Sequence, residues 1–114
     1  MKPRVYLDTS VISILHDDRS PDRRALTVDF WSRRSALHLL TSTLTEVEIN
    51  DTLDLVLRDS MLSALAEVEI LPINDLARSL ADRYIAAGVF TGAMRDDALH
   101  VAVAVVARCE VLLS

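Results

Sequence analysis

Four short, β-prone apolar runs punctuate the chain, and between them apolar residues recur three or four positions apart. Arg4–Leu7 (RVYL), Leu37–Thr41 (LHLLT), Val68–Leu71 (VEIL) and Glu110–Leu113 (EVLL) read as strands. Asp8, Thr9 and Ser10 form a helix-starting cluster, and Val11, Ile12, Ile14 and Leu15 follow at helical spacing until Asp17, Asp18, Ser20 and Pro21 interrupt them. Ser20 and Pro21 suit the N-cap and first position of the next helix, which ends near Ser35, with Leu26, Phe30, Trp31 and Leu37 as the apolar set. Phe30 and Trp31 are read as core. Ser42 is placed to cap a helix through Leu44, Val47 and Ile49. Asp51 to Ala66 predicts another, with Leu53, Val56, Leu57, Met61, Leu62 and Leu65 along one side. Asn74 caps a helix that Gly88 ends, and Phe90–Met94 reads as a loop. Asp97–Arg108 is apolar nearly all round, so that helix is expected to be buried.

Strands alternating with helical segments imply β-α-β units and a parallel sheet covered on both faces. The expected fold is therefore α/β, as a single domain over residues 1–114; no repeat, low-complexity tract or linker divides it. A hydrophobic fraction of 51% with 25% charged residues places the chain among compact globular proteins rather than disordered ones. The longest apolar stretch, Val101–Ala107, is too short to span a membrane, and Asp8 follows the first residues too soon for a secretory signal. A cytoplasmic location is the expectation. The lone Cys109 excludes an internal disulfide framework and any cysteine-based metal site.

A net charge of −5 argues against a protein that coats nucleic acid by bulk electrostatics. The charge is uneven, with seven Lys/Arg against five Asp/Glu in residues 1–34 and five against twelve in the rest. An anionic partner would be met by the first third, where Arg19, Arg23 and Arg24 lie, although a solvated helix face explains most of these arginines equally well.

Ligand sites in open α/β sheets form beyond the carboxyl ends of the strands. Asp8 directly follows the first strand, Glu48 lies on the helix entered from the second, and Asp97 opens the helix leading into the fourth. An acid at a helix start often serves only the helix dipole. Several carboxylates gathered at one sheet end repel each other, however, and a hard divalent cation relieves that repulsion. No histidine pair or thiolate set has zinc spacing. Mg²⁺ or Mn²⁺ is thus the expected cofactor, and phosphate-ester chemistry the expected use.

Three segments in order, VYLDTSVIS (Val5–Ser13), TSTLTEVEI (Thr41–Ile49) and RDDALHVAVA (Arg95–Ala104), resemble the PIN domain, in particular the VapC-type toxins of toxin–antitoxin pairs. The resemblance runs over essentially the whole chain. It implies a three-layer α/β/α fold with a central parallel sheet, metal-dependent ribonuclease activity, an RNA substrate, a cognate antitoxin and a homodimer. Position by position it implies Asp8, Glu48 and Asp97 as catalytic and metal-holding acids, with Asp96 a helper or only a first-turn charge. Glu46 is excluded, being two residues off and about 200° round the helix. Ser10 would hold the Asp8 turn or a metal-bound water. His100 also matches the family wording; a structural, hydrogen-bonded role is expected of it, since it overlaps Asp97 only partly on the helix.

Such relatives usually continue past the fourth strand with a further acidic or Asn residue and a last strand. The resemblance thus implies a C-terminally truncated domain lacking that strand, with one sheet edge exposed. The expectation is a Mg²⁺- or Mn²⁺-dependent endoribonuclease, Arg19, Arg23 and Arg24 contacting RNA. The alternative is a catalytically weak or inactive PIN-fold module acting through antitoxin or RNA contacts. A receiver-type phosphoacceptor is disfavoured because Asp8 stands alone after its strand and Lys2 is the only lysine.

Overall fold

The computed structural model describes Met1–Ser114 and shows a four-stranded, fully parallel sheet between two layers of helices. The strands are β1 (Arg4–Leu7), β2 (His38–Ser42), β3 (Glu69–Leu71) and β4 (Val111–Leu113), in the order β3-β2-β1-β4. The helices are α1 (Thr9–Ile14), α2 (Pro21–Ser32), α3 (Thr43–Asn50), α4 (Leu55–Leu65), α5 (Asp75–Ala86) and α6 (Arg95–Val106). Short 3₁₀ turns occupy Arg34–Ala36 and Gly92–Met94. This is the expected three-layer α/β/α arrangement.

Alternation along β1 builds both faces. Val5 and Leu7 point into one core with Val11, Ile12, Ile49, Met61 and Leu65, while Tyr6 points into the other with Ala77, Ala81, Ala98, Ala102 and Val103. The first core is built from branched and long side chains, and the second largely from alanines, where α5 and α6 pack together. β1 is central, paired with β2 through Val5↔Leu39 and with β4 through Val5↔Val111, so its carboxyl end opens between two neighbours.

Several helices differ from their sequence-based expectation. α2 begins at Pro21 after Ser20, as expected, but buries no residue completely, and Leu26 is exposed. Phe30 and Trp31 are only partly buried against the first core. α4 starts at Leu55 rather than Asp51, because the Asp54 carboxylate accepts the Val56 and Leu57 N–H groups and Thr52–Leu53 break from α3. Leu53 and Val56, expected on its buried side, are exposed. Asn74 caps α5 through the Ala77 N–H, and Gly88 ends it at φ +79°.

Candidate functional site

The carboxyl end of β1 delivers Asp8 into the N-cap of α1 with extended backbone angles. One oxygen, Oδ1, accepts the Ser10 N–H at 2.9 Å and the Ser10 hydroxyl at 2.5 Å. Ser10 therefore holds the Asp8 turn, and Oδ2 is left without a protein partner. Asp97 stands in the first turn of α6, exposed and without a hydrogen bond from the protein. Asp8, Asp97 and His100 line one cavity of about 280 Å³, walled by Phe90, Val101 and Leu112. Residues from near the two ends of the chain thus meet where the strand order places β1 beside β4. Asp96 is exposed and does not line the cavity.

Glu48 is half-buried on α3 and is not part of that lining. Its Oε1 accepts the Thr9 hydroxyl at 2.9 Å and lies 2.8 Å from His100 Nε2, so it meets the cavity through the imidazole. Of the two glutamates on α3 it is Glu48, not Glu46, that faces His100. His100 is buried and hydrogen-bonded, as expected, but it shares the cavity with Asp97 rather than facing away from it. Residues three apart on a helix are neighbours, and the partial overlap on the helical wheel is enough for both to reach the same space.

Behind His100 lies a polar chain that periodicity does not reveal. Tyr6 is fully buried, with its hydroxyl 2.7 Å from His100 Nδ1 and 2.9 Å from Ser42 Oγ. Its ring meets the imidazole edge-on at 5.7 Å between centroids. Burial pushes the Tyr6 phenol above its ordinary pKa, against the hydrogen bond with Ser42, which pulls it down. Ser42 occupies the N-cap of α3, yet its side chain makes no capping bond; the expected cap is diverted to Tyr6. The one available signal was the tyrosine itself, since a buried hydroxyl needs a partner.

The donor chemistry can be set against a divalent ion. No three His, Cys, Asp or Glu side chains are grouped as a metal cage. Two carboxylates at an open cavity are nevertheless a set that suits Mg²⁺, which keeps several waters and seldom uses an all-protein cage. The arginines expected to meet RNA lie outside the cavity lining. Arg19 is bound to Asp17 at 2.5 Å, Arg24 is paired with Asp18 and also donates to Leu15 O, and Arg23 has no acidic partner.

No family model and no curated protein matches the chain. Among solved structures it is similar to a chain of the crystal structure of VapBC2 from Rickettsia felis bound to a DNA fragment from their promoter. The two share a fold. The TM-score is 0.68 over 96% of this chain and 86% of that one, with 13% identical residues. At that identity the likeness speaks for architecture alone. No helix in the chain is long and apolar enough to cross a membrane.

Proposed function

We propose that the protein is a Mg²⁺- or Mn²⁺-dependent endoribonuclease, the toxin of a toxin–antitoxin pair. The observation that carries this is the meeting of Asp8 and Asp97 in one cavity at the carboxyl end of β1, with Glu48 tied to it through His100. The likeness to a VapBC2 chain supports the toxin–antitoxin part and, with it, an antitoxin partner. The homodimer and the cytoplasmic location rest on the sequence resemblance and composition.

Asp8 and Asp97 would hold the ion, and Glu48 would reach it through water. Bound there, it would supply an activated water and offset negative charge on the phosphorus. The side chains have distinct tasks around it. Ser10 fixes one oxygen of Asp8 and leaves the other to bind. Thr9 and His100 hold Oε1 of Glu48, so its carboxylate is oriented before substrate arrives. Asp97 has both oxygens free of protein donors and so open to the ion, while Glu48, the carboxylate least engaged with metal, would be the one to take a proton from the water. Phe90, Val101 and Leu112 form an apolar wall that limits solvent on one side. Arg23 is the arginine of the first third most available for a phosphate, a contact that would position RNA without reading its sequence.

RNA cleavage in Mg²⁺ should be abolished by EDTA. Loss of groups that only support metal ligands costs about 10- to 100-fold, so Asp8→Asn should cost at least about 100-fold. Equal rates for wild type and variant would sink the reading. Glu48, turned to Thr9 and His100 rather than into the cavity, favours a second reading, an inactive PIN-fold module acting through antitoxin or RNA contacts. Calorimetric titration with Mn²⁺ separates the two: binding that Asp97→Ala abolishes supports the nuclease, and no binding supports the module.

A further inference from the structure

We propose that Tyr6 is a positioning residue: its hydroxyl, clamped between Ser42 and His100, fixes the tautomer and orientation of His100 and through it the Glu48 carboxylate. Its activity readout rests on the nuclease reading above, and its spectroscopic readout does not.

An ionised carboxylate only accepts hydrogen bonds, so His100 must present Nε2–H to Glu48 Oε1 across 2.8 Å. In the neutral ring, Nδ1 is then an acceptor. The group facing Nδ1 is the Tyr6 hydroxyl at 2.7 Å, which becomes the donor. With that proton committed, Ser42 supplies its own to Tyr6 Oη at 2.9 Å, an exchange of roles that needs only rotation about the two C–O bonds. The donors then run one way, from Ser42 on β2 to Tyr6 on β1, to His100 on α6 and to Glu48 on α3. Thr9 adds a second hydrogen bond to the same oxygen.

Packing alone does not call for this arrangement. Tyr6, Ser42 and His100 are all at least 95% buried, and three polar groups in a core cost stability unless each is satisfied. Phenylalanine at position 6 and alanine at position 42 would fill much the same space without that requirement. What the polar set adds is direction: it enters from the core and ends on a carboxylate at the edge of the cavity. Removing the Tyr6 hydroxyl strands Nδ1 in an apolar setting and frees the ring to turn or change tautomer.

The test is Tyr6→Phe, which keeps the ring and its packing. In the metal-free protein, ¹⁵N spectra should show His100 of the wild type as the Nε2–H tautomer with a hydrogen-bonded Nδ1, and the Nδ1 signal should move in Tyr6→Phe. In Mg²⁺-dependent RNA cleavage, kcat should fall about tenfold with KM near its wild-type value. His100→Ala removes both ring nitrogens and supplies no other acceptor for Tyr6, so adding Tyr6→Phe to it should cost nothing more. Unchanged His100 signals in Tyr6→Phe, or equal kcat losses with and without His100→Ala, would overturn the proposal. A wild type that cleaves no RNA defeats the nuclease reading, while the ¹⁵N signals still decide the role of Tyr6. Should Tyr6→Phe fail to fold, Ser42→Ala removes only the far hydroxyl and is read by the same Nδ1 signal.

Discussion

Three arginine side chains of the first third, Arg19, Arg24 and Arg33, are held by acids close in sequence, and this decides how much positive charge they can offer. Arg19 grips Asp17 with its side chain and its backbone N–H, which brings the Asp17 carboxyl down to about 2. The native state therefore holds that proton less firmly than the unfolded chain. The contribution of this pair to stability is complete above the ordinary carboxyl value of 3.8 and is lost as the pH falls through about 2. An NMR-monitored titration should place the Asp17 midpoint near 2, and Arg19→Ala should return it most of the way to 3.8. A midpoint unmoved by Arg19→Ala would show that the pairing does not exist in solution. Salt should shrink the difference, because the pair lies near the surface. At neutral pH the pair is closed, so Arg19 brings little net positive charge to a phosphate, and Arg23 is the better target for a charge-removal variant.

Helix ends give the sharpest stability prediction. α5 terminates at Gly88, whose φ of +79° belongs to the left-handed region, with the Val89 N–H reaching back to Tyr84 O. A Cβ placed there would meet nothing within 4 Å, so the cost of Gly88→Ala is backbone strain alone. It should destabilise the protein by about 1 kcal/mol, read as a lower urea midpoint at unchanged slope. The same element scale shows what was legible in the sequence. Strand β1 and the cap at Asn74 follow from local chemistry, a β-prone run ending in a helix-starting acid and an Asn before a helical period. The start of α4 is not legible because Asp51 and Asp54 are both plausible caps, and only the bonds to Val56 and Leu57 choose between them. The apolar stripe of α2 overstates its burial because periodicity marks a face without saying how deep the helix sits, and Leu26 remains in solvent. At the site, Asp8, Glu48 and Asp97 stand out by type and spacing. The Tyr6–Ser42 and Tyr6–His100 contacts do not, since they join residues 36 and 94 positions apart and depend on how strands and helices are layered.

Both cores hang on one strand, and this sets how the whole molecule should unfold. Val5 and Leu7 of β1 anchor the core beneath α1, α3 and α4, while Tyr6 between them anchors the core beneath α5 and α6. The strands are only three to five residues long, so neither helical layer has a sheet to cover once β1 lets go. The second core is rich in alanine, each of which buries little apolar area, so α5 and α6 depend on the sheet to stay together. Ile12 is completely buried in the first core, and Ile12→Ala should cost about 2–5 kcal/mol from lost transfer energy and the cavity left behind. That is a large share of the total stability of a domain this size, roughly 5–15 kcal/mol. Trp31 lies on α2 against the first core, so its fluorescence reports that side, whereas ellipticity at 222 nm includes the two twelve-residue helices α5 and α6 on the other. In urea the two signals should move to a lower midpoint together in Ile12→Ala, as one two-state transition. A Trp31 transition that runs ahead, leaving helical ellipticity behind, would mean that α5 and α6 stand without β1 and that the layers are separate folding units.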